Sequence, residues 1–405
     1  MNHQRVDSSG HTNGSAIEVF RVFLKLGLTS FGGPIAHVSY FREEFVNKRS
    51  WVSESQYTQL LAICQLLPGP ASSQLGFSLG LIRSGWKGGV AAFLAFTAPS
   101  ALMLVVFAAC LPYLSGPIGE SAIHGLKIVA FAVVAHGVIG MFQHLCPDIE
   151  RIIIATCAAF TLLVLGSATA QLIVVGAGAV AGAVLCRRVE PYPDSELKVS
   201  HKARYGLLLL AVFAIFLGVL PILARNYDGY LAVADSFYRA GAMVFGGGHV
   251  VLPLLEESVV VPGWVSLDRF LAGYGASQAV PGPMFSFAAY LGLVFSHDRG
   301  GVPGACIALI SIFLPGFLLV AGLLPFWQKV SKQLKFSHAI AGVNAAVVGI
   351  LGAALYDPIF ITAVKGTVDL SIGLVALFLL AVLRISALYV VAWCVFAQIC
   401  VSFIY

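Results

Sequence analysis

The chain has 405 residues, of which 59% are hydrophobic and 11% are charged. Soluble globular proteins carry about 25% charged residues, so this composition excludes a soluble enzyme, a nucleic-acid-binding protein and a disordered chain. The mean hydropathy of +0.90 agrees with that exclusion. The composition therefore predicts an all-α polytopic membrane protein embedded in the lipid bilayer, because helices satisfy their own backbone hydrogen bonds there.

The polar first 16 residues lack the pattern of a cleavable signal peptide. Apolar runs long enough to cross a bilayer follow along the rest of the chain. They cover 17–38, 57–81, 88–113, 122–144, 151–186, 205–224, 231–254, 270–294, 303–327, 337–356 and 358–405. Two runs are too long for one helix. Breaks near Gly166-Ser167 and near Arg384 would give about 13 spans, and 11 spans are the alternative.

The distribution of Lys and Arg predicts the orientation of these spans. With 13 spans and a cytoplasmic N-terminus, the inside loops carry 14 basic residues and the outside loops carry 6. Cytoplasmic loops of membrane proteins hold the excess of Lys and Arg. The count therefore predicts a cytoplasmic N-terminus, a cytoplasmic loop at 187–204 and a C-terminus outside.

Two short motifs occur twice in the same order. The Phe-Gly-Gly motif at 31–33 returns at 245–247 with an offset of 214, and the Pro-Gly-Pro motif at 68–70 returns at 281–283 with an offset of 213. An ordered series with a nearly constant offset indicates an internal duplication.

The duplication predicts four regions. They are a polar tail at 1–16, a first repeat at 17–186, a cytoplasmic loop plus linker helix at 187–230, and a second repeat at 231–405. A single unpaired helix between the repeats gives them inverted topology. Inverted repeats with broken helices are a common transporter architecture, in which the substrate binds near the bilayer midplane.

Both motifs interrupt apolar runs, because Gly loosens a helix and Pro removes a backbone donor. Each interruption creates a helix N-terminus at membrane depth, and such ends bind anions through free N–H groups and the helix dipole. The predicted substrate-binding residues at these interruptions are Gly32, Gly33, Gly246, Gly247, Gly69, Ser72, Ser73, Gly282 and Ser286. The alternative is that the glycines only allow close helix packing.

Basic residues inside the predicted spans are further candidates for binding an anion. Lys25 and Arg239 are equivalent in the two repeats, six residues before the Phe of each Phe-Gly-Gly motif. Arg21 lies one turn before Lys25, and Lys127 lies in another span. Two helix ends supply about one positive charge, so a dianion would need a full cation as well. The alternatives are snorkelling of Lys25 to the interface and a structural pair between Arg239 and Asp235.

Several other functions lack the residues that they require. Intramembrane carboxylates are sparse, which argues against a cation pump, and neither a metal-ligand spacing nor a phosphate-binding loop is present in the sequence. A membrane reductase would need a redox cofactor, for which the sequence has neither a dinucleotide fingerprint nor clustered Cys ligands. We therefore expect neither a metal, nor a cofactor, nor enzymatic activity.

The duplicated motifs resemble those of the chromate ion transporter family, in its long two-domain form. The resemblance covers nearly the whole chain beyond the first 16 residues and the linker. It rests on 31–34, Ala36-His37, Trp51, Gln65 and 68–70 in the first half, and on 245–249, Pro253, Gln278, 281–283 and Leu291-Gly292 in the second.

This resemblance implies a secondary transporter that exports chromate across the bacterial inner membrane by alternating access and confers chromate resistance. Chromate and sulfate are both tetrahedral dianions, so a sulfate or general oxyanion transporter or antiporter is the alternative. Chromate, sulfate and the lipid bilayer are the expected partners, and a homodimer is one option for the assembly.

Overall fold

The structure is a computed structural model that describes residues 14–113, 116–165, 168–186, 203–225, 229–245, 248–295, 299–327 and 334–403. Nearly all of these residues are helical, and the described ranges contain no β-strand. This confirms the predicted all-α class.

The helices of the first half and the linker are bounded as follows: α1 Ala16–Thr29, α2 Gly33–Arg42, α3 Glu54–Leu66, α4 Ala71–Cys110, α5 Pro117–Leu145, α6 Ile149–Leu165, α7 Ala168–Leu185 and the linker α8 Ala203–Ala224. A π-helical turn, Glu43–Lys48, continues α2, and a 3-10 turn, Leu111–Tyr113, follows α4.

The helices of the second half are α9 Tyr230–Met243, α10 Val251–Leu255, α11 Leu267–Ser277, α12 Phe287–Val294, α13 Gly301–Leu323, α14 Leu334–Ala354, α15 Thr367–Ala381 and α16 Ala387–Ser402. Shorter turns complete them at Gly248–Val250, Glu256–Val260, Met284–Ser286, Leu324–Phe326, Leu355–Phe360 and Ile361–Ala363.

The duplication extends to these details. The π-helical turn after α2 has its equivalent after α10, and the Leu-Pro-Tyr 3-10 turn after α4 has its equivalent in Leu-Pro-Phe after α13. The repeated Trp-Val-Ser sequence supplies the N-caps of equivalent helices: Ser53 accepts an N–H of α3, and Ser266 accepts an N–H of α11. Local sequence therefore sets the same helix boundaries in both halves.

Helix α4 reverses direction part-way along its length. Ser84 and Gly85 leave the helical region of φ/ψ space, with φ of +62° at Gly85. On either side, Gly80 and Gly88 pack backbone against backbone, and a Cβ on Gly80 would lie 2.9 Å from the Cβ of Ala92. Eight residues of continuous helix would hold Gly80 and Gly88 about 12 Å apart. The chain therefore forms a first arm (71–83) and a second arm (86–110), at the predicted boundary between two apolar runs.

The segments that precede α4 also fold back, so that three chain segments meet at one end of the molecule. Phe23 of α1 stacks on Phe45 with ring centroids 4.9 Å apart, and Phe45 packs on Trp51 at 4.7 Å. Arg83, at the reversal of α4, lies 3.2 Å from Glu18 and 5.2 Å from the ring of Trp51. The start of α1, the turn after α2 and the end of the first arm are therefore neighbours.

Helices α1 and α2 thus form one hairpin, and α3 forms a second with the first arm of α4. The predictions of single spans at 17–38 and 57–81 are wrong, because the chain reverses inside each run. Gly32 and Gly33 make the first reversal with φ of +102° and +73°, a conformation that residues with a Cβ rarely adopt.

The second half forms the same two hairpins, and the predicted single spans at 231–254 and 270–294 are wrong for the same reason. Trp264 lies 5.5 Å from Phe295 and 5.1 Å from Arg299, which joins the start of α11 to the loop after α12. Phe107, near the far end of the second arm of α4, packs against Tyr290, whose hydroxyl donates to the Arg269 carbonyl. The ends of these hairpins therefore lie at the opposite end of the molecule from Arg83.

The two long apolar runs each divide into two helices, as predicted. The 151–186 run gives α6 and α7, although Gly166-Ser167 itself lies outside the described residues. The 358–405 run divides between α15 and α16, where Arg384 has φ of +52°.

The remaining helices interlock the two halves. Helix α5 packs against α15 and α16, whereas α14 packs against α6 and α7. Glycines allow the close approach: a Cβ on Gly125 would lie 2.8 Å from the Cys394 carbonyl, and one on Gly178 would lie 2.9 Å from that of Gly342.

Five helical stretches are long and apolar enough to cross a membrane: Ala71–Tyr113, Pro117–Leu145, Ala203–Ala224, Gly301–Phe326 and Ser337–Ala363. Gly206 is the buried residue of α8, whose other side chains are partly or fully exposed. Because such an apolar surface is stable only in lipid, the chain is a multi-pass membrane protein.

Candidate substrate-binding site

The interrupting motifs of the two halves bond to each other. The Gly69 N–H donates to the Val244 carbonyl at 2.7 Å, and the Gly282 N–H donates to the Ser30 carbonyl at 3.0 Å. Val244 and Ser30 are equivalent residues that directly follow α9 and α1. Each Pro-Gly-Pro motif therefore pairs with the Phe-Gly-Gly segment of the opposite half, which places all four hairpin tips together.

We call this region the central junction and define it by the tip segments 30–34, 67–73, 244–248 and 280–286. A further contact links the tips: a Cβ on Gly248 would lie 2.9 Å from the Met284 side chain and 3.4 Å from that of Pro34. Helical segments begin in each tip, at Gly33, Ala71, Gly248 and Met284. The predicted Gly246 and Gly247 lie outside the described residues.

Gly69 and Gly282 are required by backbone geometry. Their φ angles are +123° and +96°, and each lies against the other half. A Cβ on Gly282 would lie 3.0 Å from Ser100 Oγ and 3.1 Å from the Phe96 carbonyl, whereas one on Gly69 would lie 3.0 Å from Gly316 Cα. A side chain at either position would push the junction apart, so close packing explains these two glycines directly.

A buried histidine joins this network. His37 Nε2 lies 3.1 Å from the Ser30 carbonyl, and His37 Nδ1 lies 3.4 Å from Ser72 Oγ. Because a carbonyl only accepts hydrogen bonds, Nε2 carries the proton and Nδ1 accepts from the Ser72 hydroxyl. The Ser30 carbonyl thus receives donors from both halves, His37 and Gly282.

Serine hydroxyls line the junction in both halves. Ser286 Oγ lies 2.6 Å from Ser100 Oγ, whose hydroxyl is also placed to donate to the Thr97 carbonyl at 3.0 Å. The hydroxyls of Ser30 and Ser73 are buried without a hydrogen-bond partner in the described part of the chain. Such donors are available for a bound oxyanion.

Gln74, one residue after Ser73, ties the halves together as well. Its side-chain N–H groups donate to the carbonyls of Pro68 at 2.9 Å and Gly316 at 3.1 Å. Its Oε1 is buried and has no partner among the residues that the structure describes.

The start of α2 borders open space. A Cβ on Gly33 would meet no atom within 4 Å, although Gly33 lies in a tip segment. The first N–H groups of a helix have no partner within the helix. The backbone at Gly33 therefore borders space that a ligand could enter, and the role of Gly33 in binding remains a prediction.

The predicted cations are less closely tied to the junction. Lys25 and Arg21 lie on the exposed face of α1, and neither forms an ion pair within the described ranges. Arg239 pairs with Asp235 at 2.6 Å, the structural alternative that the sequence left open, and its side chain is 43% exposed. The binding roles of Lys25, Arg21 and Arg239 remain predictions.

Lys127 lies in a different place from the tips. It is 5% exposed, and its Nζ lies 2.7 Å from Asp268 at the start of α11. Its role in binding also remains a prediction.

Sequence reasoning did not select Ser30, His37 or Ser100 as site residues. His37 stands beside the Phe-Gly-Gly motif, which was the available signal, and Ser100 follows Pro99, a proline that recurs as Pro315. Their participation depends on contacts between halves, which spacing along the chain does not reveal.

Comparison with known proteins agrees with the two-fold organisation. The family profile described as Chromate transporter matches residues 17–183 and 231–399. The chain belongs to the chromate transporter family. The profile matches the chain twice, which confirms the two repeats that the motifs predicted.

Named relatives of this chromate transporter family member come from several bacteria. A probable chromate transport protein of Synechococcus elongatus is 32% identical over 356 residues, covering 85% of each chain. A chromate transport protein of Pseudomonas aeruginosa is 28% identical over 360 residues, covering 85% of this chain and 82% of the relative. A chromate transport protein of Cupriavidus metallidurans is 26% identical over 369 residues, covering 89% of this chain and 86% of the relative. No solved structure matches the chain.

Proposed function

We propose that the chain is a secondary transporter that exports chromate across the bacterial inner membrane and thereby confers chromate resistance. The observation that carries this proposal is the reciprocal pairing of the tips, Gly69 with Val244 and Gly282 with Ser30. The names of the family relatives support chromate as the substrate.

Chromate would bind at the central junction through hydrogen-bond donors. A tetrahedral oxyanion accepts several hydrogen bonds, and the start of α2 at Gly33 combines free N–H groups with open space. The unpartnered hydroxyls of Ser30 and Ser73 would add donors from the same half. Between the halves, the hydroxyl pair of Ser100 and Ser286 would have to open before either could bind the anion.

We further propose nine membrane crossings instead of 13. The crossing helices are the second arm of α4, then α5, α6, α7, α8, α13, α14, α15 and α16. The four hairpins would enter the bilayer and return, two from each side, which gives the repeats inverted topology. Non-helical backbone at membrane depth is tolerated where protein or a cavity surrounds it, as at these tips.

The basic residues support this arrangement. Reversal of the first two runs moves Arg42, Lys48 and Arg49 to the inside, and reversal in the second half moves Arg269 to the outside. The inside count rises from 14 to 16 and the outside count falls from 6 to 4. The N-terminus remains cytoplasmic and the C-terminus outside, as the sequence predicted.

Alternating access follows from the pseudo-symmetry of the halves. Two equivalent sequences that hold slightly different conformations can exchange them, which opens the junction first to one side and then to the other. The two backbone hydrogen bonds between the tips are the contacts that such an exchange would remake.

The direct test is flux in sealed vesicles that contain the purified chain. Chromate should enter inside-out vesicles against empty controls, and expression in a chromate-sensitive strain should raise its tolerance. Unlabelled sulfate distinguishes the alternative. A general oxyanion transporter would be inhibited strongly by sulfate, whereas a chromate exporter would be inhibited weakly. Vesicles without chromate flux in either orientation would refute the proposal.

A further inference from the structure

A second cavity lies away from the central junction, at the end of the molecule where α5 begins. Its volume is about 570 Å³, and residues from both halves of the chain line it. Helix α5 contributes Glu120, His124 and Lys127, whereas Asp268 and Lys365 come from the second half. Charged side chains of both signs therefore face one cavity beside the interlocked helices.

Lys127 is the buried cation of this cavity. Its side chain is 7% exposed, and its Nζ lies 2.7 Å from Asp268 Oδ1, whereas the Asp268 side chain is 65% exposed. A buried ammonium is stable only when it is paired, so this contact compensates Lys127. Because Asp268 is mostly hydrated, it can return to water at little cost, and an anion in the cavity can then take its place.

The wall around this pair is fixed by a different carboxylate. Asp369 is 8% exposed, and its carboxylate has three partners. It lies 3.1 Å from His124 Nε2, and it accepts the Lys365 backbone N–H at 2.9 Å and the Gln398 side-chain N–H at 2.7 Å. Because His124 lies in α5, Asp369 in α15 and Gln398 in α16, these contacts connect the three helices. The anion can therefore exchange with Asp268 without disturbing the cavity wall.

The two elements that carry the pair both lead to the central junction. From Lys127, helix α5 continues to Gly137, where a Cβ would lie 2.8 Å from the His249 ring beside the tip residue Gly248. From Asp268, helix α11 runs to Ser277, and the Pro-Gly-Pro motif at 281–283 follows it. The Lys127–Asp268 pair thus joins two chain elements that both lead to the tips.

The pair belongs to one side of the molecule. By the repeat, Lys127 matches Asn344 and Asp268 matches Ser55, so the equivalent place in the other orientation lacks both charges. In the proposed topology, the cavity with the ion pair lies towards the outside.

We propose that this cavity is an outer anion-binding vestibule. In it, a tetrahedral divalent oxyanion that has left the central junction replaces Asp268 as the partner of Lys127. The inference rests on the proposed transport function and adds a second site to it. Asp268 is the internal competitor of the transported anion at that site.

The test counts bound chromate by equilibrium dialysis of the purified full-length chain. Lys127→Gln should bind one equivalent fewer than the wild type, and Lys127→Arg should restore the lost equivalent. Asp268→Asn should retain that equivalent and bind it more tightly, because the competing carboxylate is gone. Lys87→Gln, a change at an exposed lysine at the opposite end of the molecule, is the matched control and should bind as the wild type does.

Vesicle flux separates this proposal from a structural role. Lys127→Gln should raise the half-saturating chromate concentration about tenfold when chromate is supplied from the outer side, and far less from the inner side. Two results would overturn the vestibule. Lys127→Gln and the wild type could bind the same number of chromate equivalents, or Lys127→Gln could raise the half-saturating concentration equally from both sides of the membrane. A wild type that binds chromate but does not transport it would refute the proposed function, while the stoichiometry would still decide the vestibule.

Discussion

Replacement of Gly282 by alanine separates backbone strain from damage to the central junction. Gly282 has φ of +96°, and a new Cβ would lie 3.0 Å from Ser100 Oγ and 3.1 Å from the Phe96 carbonyl. A positive φ costs a residue with a Cβ roughly 1–2 kcal/mol. The two contacts are shorter than ordinary van der Waals distances, and the Phe96 carbonyl is backbone that cannot rotate away. The tip must therefore move away from the second arm of α4.

Gly263→Ala is the matched control. Gly263 has φ of +78°, so it carries comparable strain, but a Cβ there would meet nothing within 4 Å. Both variants should lose stability in thermal unfolding. Only Gly282→Ala should lose chromate flux in vesicles, by at least tenfold or about 1.4 kcal/mol. Equal flux in the two variants would show that the junction is not where transport is decided.

The other predictions concern the junction and the topology. His37→Phe keeps an aromatic ring but removes both polar contacts of His37, so chromate flux in vesicles should fall at least tenfold. Ser72→Ala removes only the 3.4 Å contact, so its flux should fall less. Unchanged flux in His37→Phe would show that transport does not depend on the contacts of His37. A reporter inserted in the turn at 49–53 should read the same side as one at 187–204, because that turn lies beside Arg83, while 13 spans require opposite sides. Arg239→Gln should lower stability, because it leaves Asp235, which is 4% exposed, without its cation; unchanged thermal unfolding would show that the pair is not structural.

The sequence predicts the repeat, the breaks and the all-α class, because these depend on local composition. The constant offset of the motifs identifies the tips, and the motif glycines Gly32, Gly33, Gly69 and Gly282 all have positive φ. Apolar length does not reveal whether a chain crosses or returns. The reversal at Gly32 and Gly33 appears only when Phe45 is seen against Phe23.

Side-chain partners across the halves were beyond sequence reasoning for the same reason. Lys127 and Asp268 are far apart in sequence, and their pairing follows from the packing of α5 on α11. The partner of Arg239 was foreseeable, because Asp235 lies one helical turn away. Local partners are thus readable, whereas the composition of the junction depends on which tips meet.

The meeting of four tips changes the charge argument for Lys25. With two helix ends supplying about one positive charge, a dianion required a side-chain cation. Four helical segments begin at the central junction, and together they supply about two positive charges. Since Lys25 lies on the exposed face of α1, Lys25→Gln should retain vesicle flux within about threefold, on the order of 0.6 kcal/mol. A loss of tenfold or more at matched expression would instead establish Lys25 as the compensating cation, and helix ends alone would then be insufficient to hold chromate.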